Sequence, residues 1–460
     1  MKGKKNLERA IVLGLILSTG VYCSAWAAEG PINDDNWKSY ENKSYNSEAL
    51  IENNSGTEAA IKLENADDVT IKITTNGKYD ITLNSEGSGI RTQEDSTGGS
   101  ITLNAGKDNY IKFSGEGNGI DADSNLTFTL KAVGNNKILS AENAGEDGVN
   151  LGEHQSEKIQ FTAGNSNVIK VTHDGIYTNE DSTADSEYIA ESGNNEIESG
   201  NNGIDHRGSG DIILKAEKGQ NIITADGGDG IRVEGTGTVE FIAQNNKITA
   251  GDNGIQVEDG GSVNITANGG NNIINASVNG IYVSGKNSKS KLDASSNIIT
   301  VTGANDGAIG IYAGSGAEKE IVSADKTEIN VTANASDAYG ILAETAGSIN
   351  IDSNNEIKIK VDCIDNLNDK YTTETYGIFV DKDSSVNLTT HDGNIEILNN
   401  TIKKGDGLNA NNGIVSEGKV TLDSGNDINI YTYSGGSSAD DRVAIENNGV
   451  MTLYADSNLN

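Results

Sequence analysis

The chain has 460 residues, of which 35% are hydrophobic and 5% aromatic, with 56 Gly, a single Pro and a formal charge of −34 at pH 7. So little apolar content argues against ordinary globular domains, so much Gly, Asn, Asp, Ser and Thr argues against helix, and one proline excludes collagen and Pro-rich linkers. The acidic surface excludes nucleic acid and anionic membrane as partners, because both are held by Lys and Arg patches.

Residues 1–27 read as a secretory signal. Met1–Arg9 is basic, with Lys2, Lys4, Lys5 and Arg9 against Glu8. These four bases and one acid carry a net +3, so the rest of the chain carries −37. Ala10–Val21 is an apolar run too short to span a bilayer comfortably. Ala25-Trp26-Ala27 is a small-x-small cleavage site, with cutting expected after Ala27. Cys23 leaves with the signal, so Cys363 is the only remaining thiol and no internal disulfide can form. An exported chain this poor in apolar residues must be held by another device.

Residues 28–50, with Pro31, Trp37, Tyr40 and Tyr45, fall outside the repeat that follows and read as a linker and N-terminal cap. From residue 51 to 460 a Gly-Ile pair recurs, as at Gly89-Ile90, Gly203-Ile204, Gly230-Ile231, Gly254-Ile255 and Gly310-Ile311. Gly148-Val149, Ala60-Ile61 and Ala444-Ile445 fit the same series, and the spacings run from 24 to 37 residues. A period of this size signals a solenoid. The clearest unit holds three alternating runs: Gly254-Ile-Gln-Val257, Ser262-Val-Asn-Ile-Thr-Ala267 and Asn272-Ile-Ile-Asn-Ala276. Three strands and three turns per unit make one coil of an all-β, right-handed, single-chain parallel β-helix, with about fourteen coils expected. Disorder is the competing reading, and the registered period-2 columns oppose it.

Within Gly-Ile-x-Val, the Ile and the residue two along share a face. That second column reads Leu63, Thr92, Ala122, Leu151, Thr178, His206, Val233, Val257, Val283, Ala313, Ala343 and Val380, with His206 the misfit. The glycine, often after Asn or Asp as at Asn118, Asp147, Asp174, Asn202 and Asp229, suits a corner with φ > 0, and Asn side chains are expected to stack in ladders at the same corners. Two long units imply inserted loops at Asp362–Tyr376 and Asn399–Asn412, which places Cys363 in an insert. The last repeat ends near Asn460 without a closing cap, as expected of a truncated reading frame or a fragment.

The signal, the Asn-Gly-Ile and Asp-Gly-Ile coils, the near-absence of cysteine and the long acidic solenoid together resemble the passenger region of autotransporters, the type V secreted proteins of bacteria with two membranes. The resemblance is one of architecture. It implies Sec-dependent export, an outer-membrane barrel encoded beyond residue 460, a location at the cell surface or outside the cell, and a non-enzymatic role in adhesion or aggregation. The partners it implies are a host surface protein or glycan, or neighbouring passengers. The Asn-Pro-Asn-Leu motif of two-partner adhesins is excluded, because Pro31 is the only proline.

Pectin-cleaving enzymes also use this fold, so a polysaccharide-active enzyme is the alternative, and an inactive passenger fragment a third. Polygalacturonase-type catalysis needs Gly-His-Gly and Arg-x-Lys, and neither occurs. His154, His173, His206 and His391 are far apart in sequence and read as solvated or corner residues. Gly227-Gly228-Asp229-Gly230 occurs once and lacks the nine-residue period of calcium repeats. No cofactor is expected beyond weak Ca2+ binding by surface carboxylates.

The residue after each inward Ile should point outward. That column is mostly polar early, from Lys62 and Arg91 to Arg232 and Gln256, and becomes Tyr282, Tyr312, Leu342 and Phe379. An outward apolar stripe marks a candidate interaction surface, although neighbouring aromatics also stabilise each other across strands.

Overall fold

The computed structural model describes residues 27–53, 58–141, 146–303, 307–334, 337–365, 374–403, 411–434 and 442–460. Among them the one helical element is a 3-10 turn, Trp37–Tyr40; the rest is strand, turn and bend. Successive coils pair in parallel. Ile204–His206, for example, lies between Ile176–Thr178 and Ile231–Val233. The strands that carry the Gly-Ile motif form one 14-stranded sheet. The second and third strands of the coils merge into a 26-stranded sheet, because strands such as Thr238–Ala250 and Lys289–Gly303 run unbroken round the corner between them. The chain is a parallel β-solenoid.

Alternation drives this. In Val69–Thr75 the side chains of Val69, Ile71, Ile73 and Thr75 are buried while Thr70 and Lys72 are exposed. Repeated coil after coil, that pattern stacks a narrow core along the whole rod. One column runs Leu130, Phe161, Tyr188, Leu214, Phe241 and Ile265 in register, with the Phe161 and Tyr188 rings stacked at 4.8 Å. Each such side chain taken out of water contributes about 1.5–3 kcal/mol. The column from Leu63 to Val380 is inward throughout, His206 included. A core built from these stacked columns alone is why so little apolar content suffices.

The motif glycines do not have the positive φ expected of them; the positive-φ glycines, such as Gly77 and Gly260, lie elsewhere. Space is the reason instead. A Cβ on Gly230 would sit 2.2 Å from Cγ2 of Ile248 and 2.6 Å from the carbonyl oxygen of Gly254 in the next coil.

The segment expected to act as a cap has coil-like pairing of its own. Ile32 bridges to Ile61, Lys43–Tyr45 pairs with Ile73–Thr75, and Ala49–Asn53 pairs with Ile81–Ser85. Trp37, Tyr40 and Tyr45 are buried beneath the first repeat. The expected inserts are shorter than proposed. Strand Glu356–Asp365 continues past Asp362 and strand Asn394–Lys403 past Asn399, while Thr375–Val380 and Asn411–Ser416 begin before the inserts were to end. What remains, 366–373 and 404–410, lies outside the described residues. Cys363 is therefore not in a loop. It is fully buried in a strand, stacked between Ala333 and Thr401.

Candidate functional site

Two hydrogen-bonded ladders tie the coils together. The first runs through buried asparagines at the corner between the second and third strands. Each Nδ2 donates to Oδ1 of the next: Asn109, Asn136, Asn167, Asn195, Asn221, Asn246, Asn272 and Asn297, at 2.8–3.0 Å. The Nδ2 groups also donate to nearby carbonyls, as Asn195 does to Tyr188 and Asn221 to Leu214. The second ladder follows the residue before each Gly-Ile. There a side-chain oxygen accepts the backbone N–H one coil on: Asn118 from Asp147, Asp147 from Asp174, Asp174 from Asn202, Asn202 from Asp229, and Asp229 from Asn253. Only an acceptor is required, so Asn and Asp serve alike. Asp229 of the glancing calcium motif is one of these rungs. Burial pushes the carboxyls of Asp147 and Asp229 up to about 6.

Register places Tyr282, Tyr312, Leu342 and Phe379 in one column, as expected. The Tyr282 and Tyr312 rings stack at 4.6 Å and 6°. Leu342 departs from the expectation of an open stripe: it is only 6% exposed. Two aromatics missed in the sequence join the cluster. Tyr339 and Tyr376 stack at 5.2 Å, and Phe379 meets both edge-on. They stand at the position before Gly-Ile, in register with Asn279 and Ile309. The signal that could have found them is that this Asn/Asp column turns apolar at Ile309. The result is an aromatic ledge rimmed by acids, with Tyr282, Tyr312, Tyr339 and Phe379 half-buried and Tyr376 buried beside them. Tyr376 donates to Glu374 at 3.0 Å. Burial, reinforced by neighbouring acids, pushes the Tyr312 and Tyr339 phenols up to about 12, so their hydroxyls remain donors at neutral pH.

The four histidines have partners that sequence distance concealed. His154 reaches Asp123 at 3.0 Å and Glu94 at 3.3 Å, and His391 reaches Asp352 at 2.8 Å. His173 lies 2.7 Å from Asp147 and 3.5 Å from Asp174. Burial pulls the His173 pKa down, but the hydrogen bond to Asp147 and the charges around it outweigh that and hold it above its ordinary value. His206 Nδ1 meets Thr178 Oγ1 at 2.6 Å, with both residues sealed in the core. For His154, His173 and His391 the closest carboxylate sits a coil away, 26–39 residues back along the chain. Lys319 is a further buried titratable group that the sequence reading did not single out. It occupies an inward position between Ser290 and Ile349, and its Nζ donates to Ser290 O at 3.3 Å and Oγ at 3.2 Å. Burial holds its pKa well below the usual lysine range.

Of the expected cleavage pair, Ala25 lies outside the described residues, and Ala27 opens the short strand Ala27–Glu29, which pairs with Ala49–Ile51. No protein-family model matches the chain, and no curated protein or solved structure does either.

Proposed function

We propose that the chain is the β-solenoid passenger of an exported, surface-presented adhesin, acting by binding rather than by turnover. The observation that carries this reading is the aromatic ledge. It gathers Tyr282, Tyr312, Tyr339, Tyr376 and Phe379 on one face of a rod whose outer residues are otherwise mostly polar. Glycan is the ligand class this chemistry suits. Neutral aromatic faces pack against the C–H faces of sugar rings, and phenols with the adjoining Glu344, Asp337 and Glu374 offer donors and acceptors to hydroxyls. The signal-like residues 1–27 and the resemblance to autotransporter passengers supply the route of export. The test replaces Tyr282, Tyr312 and Phe379 together by Ser and measures binding on a glycan array and to epithelial cells. Loss of binding with an unchanged far-ultraviolet circular dichroism spectrum is expected. Undiminished binding would make the ledge purely structural, and release of reducing ends from an acidic polysaccharide would favour an enzyme.

A further inference from the structure

The Asn/Asp corner ladder contains one place where it does more than backbone bonding requires. At most rungs a carboxylate stands beside an amide, or an amide beside an amide. At Asp147 and Asp174 two carboxylates stack directly, 6% and 2% exposed. In each, Oδ1 does the ladder's work. Asp147 Oδ1 accepts from Asp174 N and faces His173 Nδ1, and Asp174 Oδ1 accepts from Asn202 N and Asn201 Nδ2. Asp147 Oδ2 takes no hydrogen bond among the described residues. Asp174 Oδ2 has only the imidazole of His173, at 3.5 Å. No Lys or Arg among the described residues pairs with either acid. Asparagine at Asn118 and Asn202 performs the same backbone service without charge. Two adjacent buried carboxylates therefore go beyond what the fold needs, and Asp147 Oδ1 at 2.7 Å and Asp174 Oδ2 at 3.5 Å both face the imidazole of His173, in the position before the corner.

We propose that Asp147, His173 and Asp174 form a divalent transition-metal site of the zinc class that clamps two successive coils together. One ligand atom from each can be chosen so that all three lie within 4.8 Å of one another. Bonds of about 2.0–2.2 Å in a tetrahedral shell put ligand atoms about 3.4 Å apart, close to the spacing of His173 Nδ1 and Asp174 Oδ2. The 2.7 Å contact between His173 and Asp147 opens as the ion replaces the shared proton. An imidazole with two carboxylates favours Zn2+ over Ca2+ or Mg2+, which take oxygen alone. The His173 ring is the exposed member, its side chain 55% accessible, so water can fill the fourth position. The ion joins residues 26 and 27 positions apart in sequence and so stabilises the contact between neighbouring coils.

Titrating the chelator-stripped full chain with ZnCl2 tests this. One strong site is expected above the diffuse binding of an acidic surface, with a rise of several degrees in Tm. Asp174→Asn keeps an oxygen for the Asn202 N–H and removes the ligand charge. His173→Gln removes an imidazole that is 55% accessible, together with its hydrogen bond to Asp147. Each should weaken Zn2+ binding at least tenfold and abolish the Tm rise, while the metal-free spectrum stays that of the parent. CaCl2 should give no comparable site. Absence of a strong Zn2+ site, or equal affinity in His173→Gln, overturns the proposal. If Asp174→Asn does not fold, His173→Gln carries the test alone.

Discussion

Asp229 is 5% exposed, and desolvation is the largest influence on its carboxyl, which is pushed from 3.8 up to about 6. Between those two pH values the folded chain holds a proton that the unfolded chain has released. Stability therefore falls as pH rises through that window, and the loss is complete above about 6. A shift of roughly two units corresponds to about 3 kcal/mol. Asn in this position keeps the oxygen that accepts from Asn253 N, as Asn202 does for Asp229 itself. Asp229→Asn should thus raise stability by about 2–3 kcal/mol at pH 7.5 and leave it nearly unchanged at pH 3.5. Thermal melts of both proteins at the two pH values check this. Equal gains at both would mean that the carboxylate is not desolvated as its burial requires.

The Gly-Ile strand is the element on which the solenoid turns, and its glycine is fixed by crowding. A methyl group on Gly230 would overlap Ile248 of the same coil and the Gly254 carbonyl of the next. Overpacking of this kind costs about 1–3 kcal/mol, and here backbone is one of the obstacles, so the upper part of that range applies. Gly230→Ala should lower Tm by several degrees, whereas Gly269→Ala, whose Cβ would meet nothing within 4 Å, pits only a left-handed backbone against the substitution and should lower it less. Equal effects would return the motif glycine to a conformational role. At Ala60, where Ala stands in place of the glycine, the residue stacked under Ile111 is Leu83, which has no Cγ2. The period, the strand order and the inward columns were legible because alternation is local and survives in every coil. The reason for the glycine was not, because it depends on an isoleucine 17 to 22 residues further along, as Ile248 is from Gly230. Separation along the chain likewise hid Asp147 from His173 and Tyr339 from Phe379. It also misplaced the main asparagine ladder, which runs between the second and third strands and not at the Gly-Ile corner. Cys363 was misread because a lengthened spacing looks like an insert, although the strand carries on through it.

At the scale of the whole molecule strand pairing joins each coil to its immediate neighbours, so stability is chiefly a chain of nearest-neighbour contacts. The middle has most of them. The asparagine ladder is continuous from Asn109 to Asn297 and is extended by Ser323, Thr327 and Ser353. The largest fully buried side chains, Tyr188, Phe128, Phe161 and Phe241, lie within the same stretch. At one end Trp37, Tyr40 and Tyr45 close over the first repeat. At the other, Ile445, Met451 and Leu453 are only partly buried, and Val450 and Tyr454 are 62% and 59% exposed. Among the described residues, strand Val450–Ala455 pairs with Lys419–Ser424 alone. In the 460-residue chain, opening should therefore begin at 442–460 and meet its highest cost between Asn195 and Val301. Native-state hydrogen exchange reads this directly. Amides of Val450–Ala455 should exchange orders of magnitude faster than those of Thr238–Ala250, with protection falling in steps of whole coils toward the exposed end. Uniform protection along the rod would mean that the solenoid opens as a single unit and that the ladders do not grade its stability.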